Sequence, residues 1–197
     1  MKIVIATSNS GKLIEIKQLL RHLPVDVVSL PKGFIQTNEP YDTFVENALK
    51  KARHTSKKMN LPTLSDDSGL VVPALGGAPG VHSSRFSGKS RDEQKNIEKL
   101  VSLVSQLPKS KRKAFYVCVL VFVRTANDPA PIVASGTLHG EIVLNKIGES
   151  GFGYDPVFYL PEYKKTVAEL SSAKKNKISH RAQASKLFIS ELSKLLI

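Results

Sequence analysis

The run from Ala114 through Phe115, Tyr116, Val117, Cys118, Val119, Leu120, Val121 and Phe122 to Val123 constrains the fold of this chain more than any other stretch. It is nearly continuous in apolar, β-branched and aromatic residues, without the polar alternation of a strand that has one wet face. It therefore reads as a central strand covered on both faces. The chain supplies amphipathic segments to cover it. Leu13, Ile16 and Leu20, with Leu19 beside them, recur at helical spacing. So do Phe44, Ala48 and Leu49, then Ile97, Leu100, Val101 and Val104, and finally Ala184, Leu187, Phe188, Leu192 and Leu195. Lys2 to Ala6 and Val25 to Leu30 read as short strands. Ile132 to Ala134 and Leu138 to Leu144 read as two more, with Gly136 and Gly140 as bends or bulges. A chain of 197 residues suffices for one domain or two tightly joined lobes.

A hydrophobic content of 41% and a charged content of 23% are those of an ordinary soluble protein, and no repeat or low-complexity tract interrupts them. The apolar run Val117 to Val123 is too short to span a bilayer. Ile3-Val4-Ile5-Ala6 gives way at once to Thr7-Ser8-Asn9-Ser10, so no secretory h-region is expected. The single cysteine, Cys118, cannot form an internal disulfide and is expected in the core. A cytoplasmic protein with no membrane partner is the resulting expectation. The net charge of +12 suits an anionic partner such as nucleic acid, a nucleotide or a phosphorylated metabolite. The cluster Lys109-Ser110-Lys111-Arg112-Lys113 follows Pro108 and reads as a solvated loop.

Several stretches carry candidate chemistry. Thr7-Ser8-Asn9-Ser10-Gly11-Lys12 joins the first strand to the first helix, a geometry that presents backbone N–H groups to an anion. The P-loop pattern fails there, since no Gly stands five residues before Gly11 and Leu13 replaces the Ser/Thr that would hold magnesium. A phosphate loop of another kind and a plain N-capping loop with an exposed Lys12 both remain open. Thr43-x-x-Glu46 reads as a capping box for a helix through about Met59, and Ser90-x-x-Glu93 as a second. Glu39 has no structural task in view and is held extended by Pro40, so it is either a candidate metal ligand or a free surface carboxylate. Ser65-Asp66-Asp67-Ser68-Gly69 places two carboxylates between apolar runs. In a strand the two point to opposite faces, and Asp67 is the candidate for chemistry, with Asp66 held by structural partners. A solvated turn is the competing reading. Phe152, between Gly151 and Gly153, is either a stacking platform or a core residue of a turn. Ser179 reads as the N-cap of the last helix, which puts His180 and Arg181 in its first turn. Positive charge is disfavoured there, and a neutral His with a ligand-facing Arg would remove the conflict.

These motifs occur in one order from Met1 to the last helix: Thr7-x-Asn9-x-x-Lys12, Ser65-Asp66-Asp67-Ser68-Gly69-Leu70, Gly76-Gly77-Ala78-Pro79-Gly80, Gly151-Phe152-Gly153-Tyr154-Asp155-Pro156 and Ser179-His180-Arg181. The set resembles the inosine triphosphate pyrophosphatase family, hydrolases of non-standard purine nucleoside triphosphates. The resemblance implies an α/β fold, an elongated mixed sheet with flanking helices, forming two lobes of a single domain around a central cleft, and a homodimer. It implies conversion of ITP, dITP or XTP to the monophosphate and pyrophosphate, with Mg2+ as cofactor. Carried over, the Thr7–Lys12 loop (Thr7, Ser8, Asn9, Ser10, Gly11 and Lys12) would hold the triphosphate, helped by Ser68 and Lys51. Asp67 would be general base and magnesium ligand, and Glu39 would share the metal. Phe152 would stack on the purine, with Gly153, Tyr154, Asp155, Lys175, His180 and Arg181 around the base. A related enzyme acting on modified or pyrimidine nucleotides and a non-catalytic nucleotide- or nucleic-acid-binding module are the alternatives. The aromatics lie mostly within apolar runs, which speaks against the binding module.

Overall fold

The computed structural model describes residues 1–195. Its elements are β1 (Lys2–Ile5), α1 (Ser10–Leu20), β2 (Asp26–Ser29), α2 (Phe44–Met59), β3 (Thr63–Val71), α3 (Glu93–Ser105), β4 (Lys113–Val123), β5 (Ile132–Ile142), β6 (Phe158–Leu160), β7 (Lys165–Thr166), α4 (Ser172–Ile178) and α5 (His180–Ser193), with short 3-10 turns between them. One seven-stranded sheet runs in the order β2-β1-β3-β4-β5-β6-β7. It is mixed: β1 pairs parallel with β2 and β3, whereas β6 pairs antiparallel with β5 and β7. The strand that the apolar run demanded, β4, stands fourth of the seven, and every residue from Cys118 to Val123 is buried. The α/β class follows. No helix of the described residues is long and apolar enough to cross a membrane.

The chain divides into two compact units. The first holds Met1–Asp67, Cys118–Gly136 and the C-terminal segment from Arg181; its core joins Ile3, Ile5, Ile16, Leu64, Leu120, Phe122 and Phe188. The second holds Ser68–Val117 and Thr137–His180; its core joins Leu70, Leu100, Tyr116, Ile142, Val157 and Phe158.

One open alternative is settled and three local expectations need correcting. Asp66 and Asp67 lie mid-strand in β3, not in a solvated turn, because buried cations meet both carboxylates. Ile132–Ile142 is one strand, not two. Gly140 admits the backbone of β6, since a Cβ at that position would stand 2.5 Å from the Tyr159 carbonyl oxygen. The N-cap of α3 is Asp92, whose carboxylate accepts the Lys95 N–H at 3.1 Å, so Ser90 does not cap it. Leu187 of α5 and Leu195 just beyond it are about half exposed, because Arg181, Ala184, Ser185, Phe188 and Leu192 form the inward face instead.

Candidate active site

The pleat of β3 separates its two carboxylates, as alternation requires. Asp67 meets the ammonium of Lys51, whose Nζ donates to Asp67 Oδ1, Glu39 Oε1 and the Asp66 carbonyl, each at 2.8 Å. Lys51 reaches them because α2 turns an unusual face inward. Asn47, Ala48, Lys51, Ala52, Thr55 and Ser56 are its buried residues, all small or polar and recurring at helical spacing. Thr43 caps this helix, its side chain accepting the Glu46 N–H as the capping pattern requires. Burial raises the pKa of Asp67 above the ordinary carboxylate value, with Lys51 opposing the shift. Burial also works against the charge of Lys51, but Asp67 and Glu39 outweigh it and its pKa rises.

Two carboxylates meeting at one cation position form the donor set that magnesium takes when substrate phosphates complete its shell. Among the described residues no group of three or more His, Cys, Asp or Glu side chains stands ready to hold a metal unaided. Glu39 and Asp67 fit a metal that arrives with a phosphate ligand to complete its shell.

Asp66 has different company. It is 2% exposed and accepts from Lys12 Nζ, from Arg181 Nε at 3.0 Å and from Cys118 Sγ at 3.1 Å. Arg181, 1% exposed, also donates through Nη1 to Glu15 on α1. Burial opposes the charge of Asp66, but Arg181 and Lys12 outweigh it and hold its pKa well below the usual value. This is a buried ionic cluster tying α1, β3, β4 and α5 together. Above it runs the Thr7–Lys12 segment, in which Thr7 Oγ1 accepts the Asn9 N–H at 3.1 Å and Asn9 Oδ1 accepts the Lys12 N–H at 3.0 Å. Asn9 is therefore the N-cap of α1. Ser8, Asn9 and Ser10 are exposed, while Thr7, Gly11 and Lys12 are half-buried. Ser68, half-buried, follows Asp67 directly on β3.

In the second unit Asp155 is the centre. Its Oδ2 accepts Lys175 Nζ at 2.8 Å and the Phe152 N–H at 3.1 Å, and its Oδ1 accepts the Tyr116 hydroxyl at 3.2 Å. Burial raises the pKa of Asp155, opposed chiefly by Lys175. The Lys175 ammonium stands 4.4 Å from the centroid of the half-buried Phe152 ring, a cation–π contact. Glu93 accepts the Gly153 N–H at 2.9 Å, and Gly151 has φ +85°, so both glycines of the motif serve the loop backbone. Tyr154 is buried, its hydroxyl donating to the Ser83 carbonyl at 2.8 Å. His180 is buried and stacks on Tyr116.

The structure thus gathers Glu39, Lys51 and Asp67 into one group, Lys12 and Arg181 around Asp66 into a second, and Phe152, Asp155 and Lys175 into a third. Ser179 ends α4 as its C-cap and immediately precedes α5. Sequence reasoning gave Glu15, Cys118, Glu93 and Tyr116 no part in these groups. Only the inward face of α2 left a readable trace, a helical stripe of small and polar residues with one lysine in it.

Comparison with known proteins agrees over nearly the whole chain. The sequence profile of the Ham1 family matches residues 3–191. A dITP/XTP pyrophosphatase of Nitrosomonas europaea is 49% identical over 193 residues, covering 98% of this chain and 94% of the relative. One of Salmonella typhi is 47% identical over 192 residues, covering 97% and 98%. A solved Ham1 protein from Coxiella burnetii superposes with a TM-score of 0.91 at 42% identity, covering 98% of this chain and 99% of that one. The Staphylococcus aureus Ham1 protein gives 0.86 at 38% identity, with the same coverage. A mixed sheet of the same architecture, matched from end to end with this level of identity, leaves one assignment: the chain belongs to the Ham1 family.

Proposed function

We propose that this protein is a dITP/XTP pyrophosphatase, hydrolysing non-standard purine nucleoside triphosphates to the monophosphate and pyrophosphate. One observation carries the reading: Glu39, Lys51 and Asp67 converge in a chain that aligns over 98% of its length with a protein of that name. In this reading Glu39 and Asp67 hold magnesium, which when bound neutralises phosphate charge and helps activate water. Asp67 orients the attacking water and accepts its proton, a role that burial strengthens by raising its proton affinity. Lys51 fixes the two carboxylates relative to each other. Lys12, with the backbone and side chains of Thr7, Ser8, Asn9, Ser10 and Gly11, receives the triphosphate, and Ser68 assists. The positive charge of Lys12 opposes the charge that develops on the phosphate oxygens.

Phe152 serves as the stacking surface for the purine, with Gly153 and Tyr154 shaping its loop. Lys175, His180 and Arg181 offer donors near the base, Asp155 fixing Lys175 and Asp66 fixing Arg181. A 6-keto purine accepts from such donors. Adenine presents an amino group at that position and leaves them unpaired, a mismatch that costs several kcal/mol. The enzyme acts in the cytoplasm, as a homodimer, on the free nucleotide pool.

Pyrophosphate release from dITP, XTP, dGTP, dATP and dTTP, with and without magnesium, tests this reading. Turnover of dITP and XTP well above the others, and only with a divalent metal, is the expected result. Preference for dTTP would favour a pyrimidine-directed enzyme, and no turnover of any triphosphate would leave a binding module.

A further inference from the structure

Tyr116 lies in the central apolar strand and reads from the sequence as a core residue. It is indeed 7% exposed and packs on Phe158, ring centroids 4.5 Å apart. Its remaining contacts are not those of a core filler. Its ring lies nearly parallel to that of His180, with centroids 4.8 Å apart and an interplanar angle of 13°. Its hydroxyl donates to Asp155 Oδ1 at 3.2 Å, while Asp155 Oδ2 holds Lys175 and the Phe152 N–H. Donors on both oxygens fix the plane of a carboxylate, and a donor on one alone leaves it free to turn. Burial, reinforced by Asp155, pushes the phenol pKa well above its ordinary range, so the hydroxyl stays a donor.

We infer that Tyr116 is a positioning residue for purine recognition: its ring sets the plane of His180, and its hydroxyl fixes the Asp155 carboxylate that aims Lys175 and Phe152. The inference rests on the proposed assignment of Phe152, Lys175 and His180 to the base. A phenylalanine would satisfy the packing against Phe158 and His180, so the hydroxyl is the part that only the positioning role requires. Removing it lets Asp155 rotate, and the cation over the Phe152 ring moves with it. Recognition of the keto base then weakens before the chemical step is touched.

The test is steady-state kinetics of Tyr116→Phe and Tyr116→Leu on dITP and dATP, with the thermal midpoint measured alongside. Tyr116→Phe keeps the ring and the fold. Its KM for dITP rises about five- to tenfold, the net worth of one ordinary hydrogen bond, because the hydroxyl acts on the base only through Asp155, while kcat stays within about twofold. With dATP, which shares the Phe152 stack but gains nothing from these donors, kcat/KM falls by less, so the dITP/dATP ratio falls. Tyr116→Leu, which also removes the stack on His180, lowers the ratio further. An unchanged KM for dITP in Tyr116→Phe overturns the inference, as does an equal loss on dITP and dATP or a loss confined to kcat. Failure of the wild-type enzyme to cleave dITP would instead overturn the proposed function, and is visible before any variant is made.

Discussion

Replacing Asp66 by alanine should damage the fold more than most single substitutions, although Asp66 performs no chemistry in this account. The side chain accepts from Lys12, Arg181 and Cys118, and it is 2% exposed. Lys12 retains some access to water and can rehydrate. Arg181 cannot, because its side chain is 2% exposed, and it would lose one of the two carboxylates, Asp66 and Glu15, that meet its guanidinium. Leaving a buried charge short of its partner costs about 3–5 kcal/mol. For a chain of this size each kcal/mol lowers the thermal midpoint by about 2–4 °C. Asp66→Ala should therefore melt roughly 6–20 °C below the wild type. Asp66→Asn, which keeps the shape and one acceptor, should fall between the two. Thermal unfolding followed by circular dichroism and calorimetry reads the effect. A midpoint within about 3 °C of the wild type for Asp66→Ala would refute the reasoning that Arg181 depends on Asp66.

Other perturbations separate the remaining roles. Asp67→Asn is nearly isosteric and should keep the circular dichroism spectrum of the wild type while losing about 10²–10⁴-fold in kcat for dITP; substantial retained turnover would remove Asp67 as the base. Glu39→Gln should raise the magnesium concentration needed for half-maximal turnover, with a smaller loss at saturating metal than in Asp67→Asn; an unshifted magnesium titration would take Glu39 out of the metal site. Gly151→Ala would place a Cβ 2.1 Å from Asp155 Oδ2 at φ +85°, so the loop must move and the KM for dITP should rise. Acid stability tests Asp66 independently. Its folded pKa lies well below 3.8, so its contribution is fully present above that pH and is lost as pH falls from there through the folded value. In that window the wild-type unfolding free energy should fall by up to about 1.4 kcal/mol per pH unit more steeply than that of Asp66→Asn.

What the sequence made legible was local or carried by pattern. The apolar run of β4 announced a central strand, Thr43 announced the start of α2, and the Gly-flanked Phe152 announced a special loop. What it concealed was long-range pairing. Nothing near Asp66 in the chain says that Arg181 neutralises it, and the two are 115 residues apart. Read alone, the Asp-Asp pair therefore looked like a turn. The dipole argument singled out Arg181 but not its partners, two carboxylates from β3 and α1 that compensate the charge. Leu187 was assigned inward because the interior of α5 was taken to be apolar throughout, whereas Arg181 and Ser185 occupy part of it. The resemblance offered Lys51 as a triphosphate ligand, and Tyr116 read as a core residue. One sits on a helix face and the other in a core strand, and only the fold shows which carboxylates they meet.

The most direct test of the central claim is to follow dITP hydrolysis in water enriched in heavy oxygen and to weigh both products. Attack on the α-phosphorus by water held at Asp67 places the label in dIMP and leaves pyrophosphate unlabelled. Label in pyrophosphate, or release of orthophosphate in its place, would contradict it.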